Sequence, residues 1–330
     1  FLKPNNMLKF QQPPKEYSHV YLEDTDKPLP EVLNPNTRYI FLSTIAKGGK
    51  ALIKSCRDMH LNRIVAYKTL RSEFVNDEIE NTRLLREARI SAMLQHPNTV
   101  PIYEIGRDNR GQYYFTMKFV HGYTLREIMD YRERYDLSQL IDVIIQVAHA
   151  LAYAHEHGVA HRDIKPENIL VGPYSEVLVL DWGLAKVWRK DGSSIELDTS
   201  EIKSVENSDK SITGHGKLQG TLCYMSPEQI RRDPAIDFRT DTYSLGSVLY
   251  ELLTGQPPFD SDKTYEILDM VENKQPPKPS EVSKYPVPKV LEKLCLKCLN
   301  KDPDARPASM LEVVRVLQQE WIDELIHSKL

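Results

Sequence analysis

The alternation of hydrophobic and polar positions is strand-like in the first third of the chain. After a polar, proline-rich stretch over residues 1–36, short apolar runs flank a Gly48-Gly49 turn, and this pattern predicts strands joined by a tight turn. Another strand is predicted over residues 64–68, and two more over 100–105 and 113–120.

Helical periodicity interrupts these strands once and dominates the rest of the chain. It predicts a helix over residues 82–94, with a buried stripe made of Leu84, Leu85, Ala88 and Met93. Later helices are predicted over residues 137–158, 243–253 and 310–326. Gly158 is expected to end the first of these three by adopting a left-handed conformation.

A short apolar run over residues 177–180 has the length of a buried strand, and Asp181 follows it directly. Asp163 and Asn168 precede the run, on a stretch where Pro166 argues against a helix. Two carboxylates and a carboxamide, with no Cys or His beside them, suit a hard cation that prefers oxygen ligands. Mg²⁺ usually brings phosphate with it, so this stretch predicts a magnesium–phosphate site.

The H-R-D-x-x-x-x-N run that contains Asp163 and Asn168, followed by D-x-G at Asp181, resembles the catalytic and metal-binding loops of eukaryotic-type protein kinases. The resemblance implies an α+β, two-lobed fold with a small antiparallel-sheet lobe and a larger, mainly helical lobe. The kinase domain would cover residues 37–328 after an extension over 1–36. The lobes would cover residues 37–119 and 120–328, with an activation segment over 181–228.

The same resemblance implies roles for the loop side chains. Asp163 would accept or orient the proton of the substrate hydroxyl, and Lys165 would contact the transferring phosphate. Asn168 and Asp181 would hold Mg²⁺, with Mn²⁺ as the alternative metal. His161 would pack against the turn that follows Asp181.

ATP binding is implied by the match of residues 64–68 to the V-A-I-K strand of kinases. Lys68 would contact the α- and β-phosphates, and Glu87 would pair with Lys68 and orient it. The other residues implied at the nucleotide are Ile45, Gly48, Ile53, Ala66, Met117, Lys118, Val120 and Leu170. Lys118 and Val120 would act through their backbones.

The glycine-rich loop departs from the family pattern. Its three glycines would fall on Ala46, Gly48 and Ala51, so only Gly48 is kept. Glycine lets backbone N–H groups approach phosphate closely, and a Cβ can obstruct that approach. The alternative hypothesis is therefore a pseudokinase that acts as a nucleotide-binding or scaffolding module.

Further matches extend the resemblance over most of the chain. Glu228 in S-P-E and Arg306 in D-P-D-A-R-P would form a buried ion pair, and Asp241 would hold the backbone of the catalytic loop. Residues 189–217 are polar and offer phosphorylation candidates, with Thr213 and Ser211 foremost. Arg162 can pair with a phosphate on this segment, which favours regulation by autophosphorylation.

Composition and charge add limits. The 330 residues are 41% hydrophobic with a formal net charge of −4, so nothing indicates a nucleic-acid partner. No apolar run is long enough for a membrane span and no secretory signal is evident. Because the chain starts at Phe1, we expect a piece of a longer protein that could be membrane-anchored elsewhere. Of the four cysteines, the C-x-x-C pair Cys295 and Cys298 is expected in the core of a cytoplasmic domain, with a redox or zinc role as the alternative.

The leading hypothesis is a bacterial protein serine/threonine kinase that uses ATP and Mg²⁺ on protein substrates, with homodimers as the route to autophosphorylation in trans. Lys165 and the G-T-x-x-Y-x-S-P-E stretch ending at Glu228 resemble the Ser/Thr group. A small-molecule kinase with the same fold is a third hypothesis. The S-P-E stretch and the motif around Arg306 disfavour it.

Overall fold

A computed structural model describes residues 25–26, 28–29, 37–131, 134–188, 194–195 and 221–327. The chain divides into two compact units. One comprises Phe1–Gly122 with Gly172–Glu176, and the other comprises Tyr123–Val171 with Val177–Leu330. The two units are described separately below.

The first unit is built on a five-stranded antiparallel sheet with the strand order β1-β2-β3-β5-β4. A single long helix, α1, follows β3 in the chain. Their bounds are β1 Tyr39–Lys47, β2 Ala51–Asp58, β3 Arg63–Leu70, α1 Glu78–Met93, β4 Ile102–Arg107 and β5 Tyr113–Lys118.

The register of the sheet decides which side chains share a face. Lys68 of β3 lies opposite Ile53 of β2, and Ala66 lies opposite Met117 of β5. Because side chains alternate along a strand, Ile53, Ala66, Lys68 and Met117 share one face. Phe115, opposite Lys68, packs on that face in a cluster with Leu70, Leu84 and Ala88.

Helix α1 begins where Asp77 caps it by accepting hydrogen bonds from the N–H groups of Ile79 and Glu80, at 2.9 and 3.1 Å. The prediction that Met93 belongs to the buried stripe is wrong, since Met93 is 72% exposed. Ile90 and Leu94 are buried instead. The stripe therefore turns away from Met93 at the end of the helix.

The second unit is mainly helical, so the predicted α+β class, with a sheet-based part and a helical part, is confirmed. Its short strands are β6 Tyr123–Thr124, β7 Val159–Ala160, β8 Ile169–Val171, β9 Val177–Val179, β10 Lys186–Trp188 and β11 Ser194–Ile195. Its helices are α2 Leu125–Met129, α3 Leu137–Glu156, α4 Pro227–Ile230, α5 Arg239–Thr254, α6 Thr264–Asn273, α7 Pro279–Val282, α8 Lys289–Cys298, α9 Met310–Arg315 and α10 Trp321–His327. A π-helical segment, Val316–Glu320, joins α9 to α10.

Helix α3 forms the centre of the second unit. Leu140, Ile141, Ile144 and Leu151 are buried on its inward side. It is long and apolar enough to span a membrane, but most of it is buried in the protein, as expected of a core helix. Gly158, at φ +73°, turns the chain out of the helix.

The C-x-x-C cysteines lie on α8 and pack against α5. Cys295 and Cys298 are both buried, and the Cys295 thiol donates to the Gly246 carbonyl at 3.5 Å. Their core position agrees with the prediction made from the helical pattern. All four cysteines of the chain are free thiols.

Candidate active site

In the first unit, Lys68 and Glu87 form a close, nearly buried ion pair. The ammonium of Lys68 lies 2.6 and 2.7 Å from the two carboxylate oxygens of Glu87, and each residue is 8% exposed. Strand β3 therefore holds its lysine against the inward face of helix α1. The Glu87 carboxylate therefore fixes the position of the Lys68 ammonium.

Three other side chains expected at the nucleotide belong to the same sheet as Lys68. Ile53, Ala66 and Met117 share the sheet face of Lys68, as the register requires. The N–H of Lys118 donates to the Pro101 carbonyl at 3.0 Å. If this edge binds adenine, the donor must therefore come from Val120.

The side chain of Lys118 has an ion-pair partner within the first unit. The ammonium donates to Glu176, in the short segment Gly172–Glu176 that belongs to this unit. The lysine is thus neutralised locally. Ile45, at the end of β1, is 45% exposed.

In the second unit, the catalytic-loop candidates converge on the carboxylate of Asp163. Lys165 Nζ lies 2.9 Å from both of its oxygens, and Asn168 Nδ2 donates to Oδ2 at 2.9 Å and to the Asp163 carbonyl at 2.8 Å. Burial raises the pKa of Asp163, and the Asp181 charge adds to this, while Lys165 opposes both. Burial would lower the pKa of Lys165, but attraction to Asp163 outweighs it and raises that pKa.

A short turn of 3-10 helix, Pro166–Asn168, carries Asn168 to this position. The expectation that Pro166 excludes helix from the loop is therefore too strict. Proline occupies the first position of the turn, where its missing N–H has no partner to lose. The turn ends at β8, in which Leu170 pairs with Thr124 and Leu178.

Strand β9 ends at Val179, and Leu180 connects it to Asp181. The Leu180 N–H donates to the Asn168 carbonyl at 2.8 Å, which ties this end of the strand to the catalytic loop. Asp181 itself has φ +62° and accepts from the Gly183 N–H at 3.4 Å. A non-glycine residue with positive φ is uncommon and often marks a functional site.

His161 contacts both the catalytic loop and the turn that contains Asp181. Its Nδ1 accepts from the Asp163 N–H at 3.2 Å, so Nε2 carries the proton donated to the Leu180 carbonyl at 2.9 Å. Its ring lies 4.5 Å, centroid to centroid, from that of the buried Trp182. The imidazole therefore connects the loop of Asp163 to the turn of Asp181.

The residues suggested for a metal fit a hard cation. Both Asn168 donor contacts given above use its amide nitrogen, so its carbonyl oxygen can face a ligand, and Asp181 is exposed. No cluster of three or more His, Cys, Asp or Glu side chains suited to a metal occurs in the described residues. Few protein ligands are typical of Mg²⁺, which keeps water and binds substrate phosphate.

Asp241 is completely buried near the start of α5, and its carboxylate accepts three hydrogen bonds. All are at 2.8 Å, from the N–H groups of His161 and Arg162 and from His155 Nε2. Burial acts to raise the pKa of Asp241, but the contact with His155 and the other donors outweigh it and lower that pKa.

Sequence reasoning missed His155. It lies in the last turn of α3, among buried apolar residues, and a polar side chain at such a position is the feature that could have drawn notice.

Glu228 and Arg306 are in bidentate contact, at 2.6 and 2.8 Å. Both side chains are almost fully buried. Arg306 also donates to the carbonyls of Asn300 and Arg239, at 2.8 and 2.9 Å. The ion pair thus fastens the short helix α4 to the start of α5 and to the chain just before Arg306.

A second ionic network, around Arg126 of α2, was not predicted. Its guanidinium donates to Glu167 in the catalytic loop at 2.9 Å, to Glu251 of α5 at 2.5 Å, and to the hydroxyl of Tyr224. It connects three distant parts of the second unit.

Thr221 lies near the catalytic loop, with its hydroxyl 3.4 Å from Lys165 Nζ. The proposed phosphorylation sites Thr213 and Ser211 lie outside the described residues. The polar stretch over residues 196–220 is likewise outside them.

Comparison with known proteins gives the same family as the motifs. The pattern of the protein kinase domain matches residues 39–322. The serine/threonine-protein kinase PknD of Protochlamydia amoebophila is 37% identical over 294 residues, which are 85% of this chain and 29% of the relative. PknB of Mycolicibacterium smegmatis is 34% identical, over 84% of this chain and 42% of the relative.

A third relative is the serine/threonine-protein kinase pkn3 of Myxococcus xanthus. It is 33% identical over 82% of this chain and 48% of its own length. The predicted resemblance to bacterial Ser/Thr kinases is confirmed by these matches. The chain spans less than half the length of each of these three relatives.

Proposed function

Because this chain belongs to the protein kinase domain family, we propose that it transfers the γ-phosphoryl group of ATP to serine and threonine hydroxyls of proteins. The observation that carries the proposal is the Asp163 carboxylate, held at 2.9 Å by Lys165 and by Asn168 of the same loop. Residues 37–328 are proposed as the kinase domain, after an extension over residues 1–36.

Asp163 is proposed to orient the hydroxyl of the substrate and to accept its proton. Lys165 would neutralise charge on the transferring phosphoryl group while remaining beside Asp163. Phosphoryl transfer has a loose transition state, so positioning and charge neutralisation provide most of the catalysis. The contacts among Asp163, Lys165 and Asn168 support a mechanism of this kind, which needs no covalent intermediate.

Lys68 is proposed to bind the α- and β-phosphates, with Glu87 fixing its position. Asn168 and Asp181 would hold Mg²⁺, which supplies charge neutralisation at the phosphate oxygens when it is bound. Ile45, Gly48, Ile53, Ala66, Met117, Lys118, Val120 and Leu170 are proposed to contact the nucleotide. The preference for Mg²⁺ over Mn²⁺ is part of this proposal.

Serine and threonine are proposed as acceptors over tyrosine because Lys165 lies near both Asp163 and the Thr221 hydroxyl. The proposed partners are protein substrates and a second copy of the chain for phosphorylation in trans. The domain is proposed to work in the cytoplasm, where ATP is available.

The experiment compares wild type with Asp163→Ala in Mg-ATP, measuring autophosphorylation and phosphorylation of a general protein substrate. Loss of the proton acceptor is expected to lower the rate by about 10²-fold or more. Asp323→Ala, on the exposed side of α10, is the matched control and should retain the wild-type rate. Circular dichroism of each variant checks that the fold persists.

Equal phosphorylation by wild type and Asp163→Ala would refute the catalytic assignment. Tight nucleotide binding by wild type without turnover would instead support the pseudokinase alternative. Turnover of a sugar or an aminoglycoside without phosphorylation of any protein would revive the small-molecule kinase hypothesis.

A further inference from the structure

Helix α1 presents two buried glutamates to the sheet, and each binds a lysine. Glu87 binds Lys68 of β3, as described above. Seven residues earlier, Glu80 binds Lys50 in the turn between β1 and β2, with 2.8 Å between Nζ and Oε1. Residues seven apart lie two turns along the same helix face, so the two ion pairs are arranged one above the other.

The turn that contains Lys50 replaces the glycine-rich phosphate loop of the family, and further contacts hold it. The Gly48 N–H donates to the Ala51 carbonyl at 2.9 Å and closes the turn. From the end of β3, the Arg71 N–H donates to the Lys50 carbonyl at 2.8 Å, and its guanidinium donates to the Gly49 carbonyl at 3.1 Å. Backbone and side chain of the turn are thus both anchored.

We infer that Lys50 and Glu80 form a second positioning pair, which fixes the phosphate loop on helix α1 before nucleotide binds. This inference rests on the proposed function, because it assigns the loop to ATP phosphate. With alanine at positions 46 and 51, the loop has fewer freely adjustable residues than the family pattern. A loop fixed in advance avoids the entropy that a mobile one loses on binding.

The charges around Glu80 allow Lys50 to be changed without collapse of the helix. Glu80 Oε1 also accepts from Arg83 Nη1 at 2.8 Å, and the side chains of Glu80 and Arg83 are both 9% exposed. Removing Lys50, whose side chain is 37% exposed, therefore leaves the buried carboxylate with a partner. Replacing Glu80 takes a carboxylate from a buried arginine, so the Lys50 variant is the cleaner probe.

Both ion pairs lie on one rigid helix, which gives the second pair a further consequence. A displacement of α1 that separates Glu87 from Lys68 also pulls Glu80 away from Lys50. The phosphate loop and the phosphate-binding lysine therefore respond together to any movement of α1. Lys50 is a positioning residue in this scheme and is not placed in contact with the reacting atoms.

The test measures the Kd of Mg-ATP by titration, and KM for ATP and kcat by steady-state phosphorylation, for Lys50→Met. Loss of the pair is expected to raise Kd and KM by about 3- to 10-fold, with kcat nearly unchanged. The conservative variant Lys50→Arg, which keeps a cation beside Glu80, should retain most of the affinity. Lys54→Met is the matched control, because Lys54 alternates with Ile53 and so faces the other side of the sheet.

Amide hydrogen exchange without nucleotide provides a readout that does not depend on activity. The Gly48 and Arg71 amides, whose bonds close and anchor the turn, should exchange faster in Lys50→Met than in wild type or Lys54→Met. Unchanged exchange together with unchanged Kd would overturn the inference. So would tighter ATP binding, because it would mean that Glu80 holds Lys50 away from phosphate.

The outcomes also separate this inference from the proposed function. A wild-type protein that binds no nucleotide contradicts the proposed function, whereas the exchange rates still decide whether Lys50 fixes the turn. Normal wild-type binding with no effect of Lys50→Met contradicts only the inference.

Discussion

Among single residues, Arg306 is one whose truncation we expect to destabilise the fold strongly. Its guanidinium is buried and is shared between Glu228 and backbone carbonyls. Arg306→Ala would leave Glu228 as a stranded charge, and we expect it to lower the free energy of unfolding by about 3–5 kcal/mol. Urea unfolding measures this loss.

Arg315→Ala serves as the control, since the Arg315–Glu320 pair is about half exposed on both sides. Its cost should stay below about 1 kcal/mol. Similar costs for the two substitutions would show that burial of Arg306 does not determine its contribution.

The environment of Lys301 leads us to expect that the free energy of unfolding depends on pH. Its ammonium donates to the Val271 carbonyl at 2.6 Å, at the end of α6, and lies 4.3 Å from the centroid of the Phe259 ring. Burial, with Arg306 and Arg231 nearby, lowers the pKa of Lys301 to about 8 from an ordinary 10.5. Between these two pH values the unfolded chain binds a proton at Lys301 that the native state lacks.

Stability contributed by this residue therefore rises with pH from about 8 to about 10.5. Lys301→Met should remove that rise when unfolding free energies are compared at about pH 7 and about pH 9.5. Lys293→Met, at an exposed position of α8, should keep it. The same slope in both variants would contradict the assignment to Lys301.

Residue motifs predict some of these contacts but not others. The pairs Glu228–Arg306 and Lys68–Glu87 could be predicted, because these residues match positions in the motifs of the family. His155, by contrast, meets Asp241 only through the packing of α3 on α5. Contacts of that kind depend on tertiary geometry and leave no mark in local spacing.

At the level of elements, the close approach of α5 and α8 depends on Gly246. A Cβ at this position would lie 2.6 Å from the Cβ of Cys298, well inside normal contact. In the interior of a helix, alanine is normally more favourable than glycine by about 1 kcal/mol. Here we expect Gly246→Ala to destabilise the protein by about 1–3 kcal/mol, because the clash outweighs propensity.

Thermal unfolding of Gly246→Ala measures this effect. Lys293→Ala is the control, as it adds no atoms to the contact between α5 and α8. An increase in the melting temperature of Gly246→Ala would show that the helices separate without cost.

Helix positions were predicted better than their ends. The periodic pattern located α1 and its buried Leu84 and Ala88, yet it placed exposed Met93 inside. Met93 and Leu94 are adjacent apolar residues at the end of the helix, and either could have been buried. The path of the chain after the helix determines which one is. Leu94, just past α1, takes the buried position.

For the whole molecule, regulation by phosphorylation is a prediction from sequence. After incubation with Mg-ATP, phosphosite mapping should find Thr213 or Ser211 modified, and Thr213→Ala should lower activity severalfold. Arg162, adjacent to Asp163, is the expected partner of that phosphate. An active protein with no phosphate between residues 189 and 220 would refute this prediction.

Phosphorylation between copies has its own test. The specific rate of autophosphorylation should increase with protein concentration if a second copy is the substrate. Wild type should also phosphorylate Asp163→Ala added to it. A rate independent of concentration would indicate phosphorylation within one chain.

The burial of the four cysteines has a practical consequence for spectroscopy. Burial raises the pKa of the Cys56 thiol to about 11 and that of Cys298 to about 12, so almost no reactive thiolate exists near neutral pH. A cysteine introduced at an exposed position, such as Gly49 in the phosphate loop, would then be the preferred target of a maleimide dye. The native cysteines should therefore contribute little background labelling when a dye is attached to that loop.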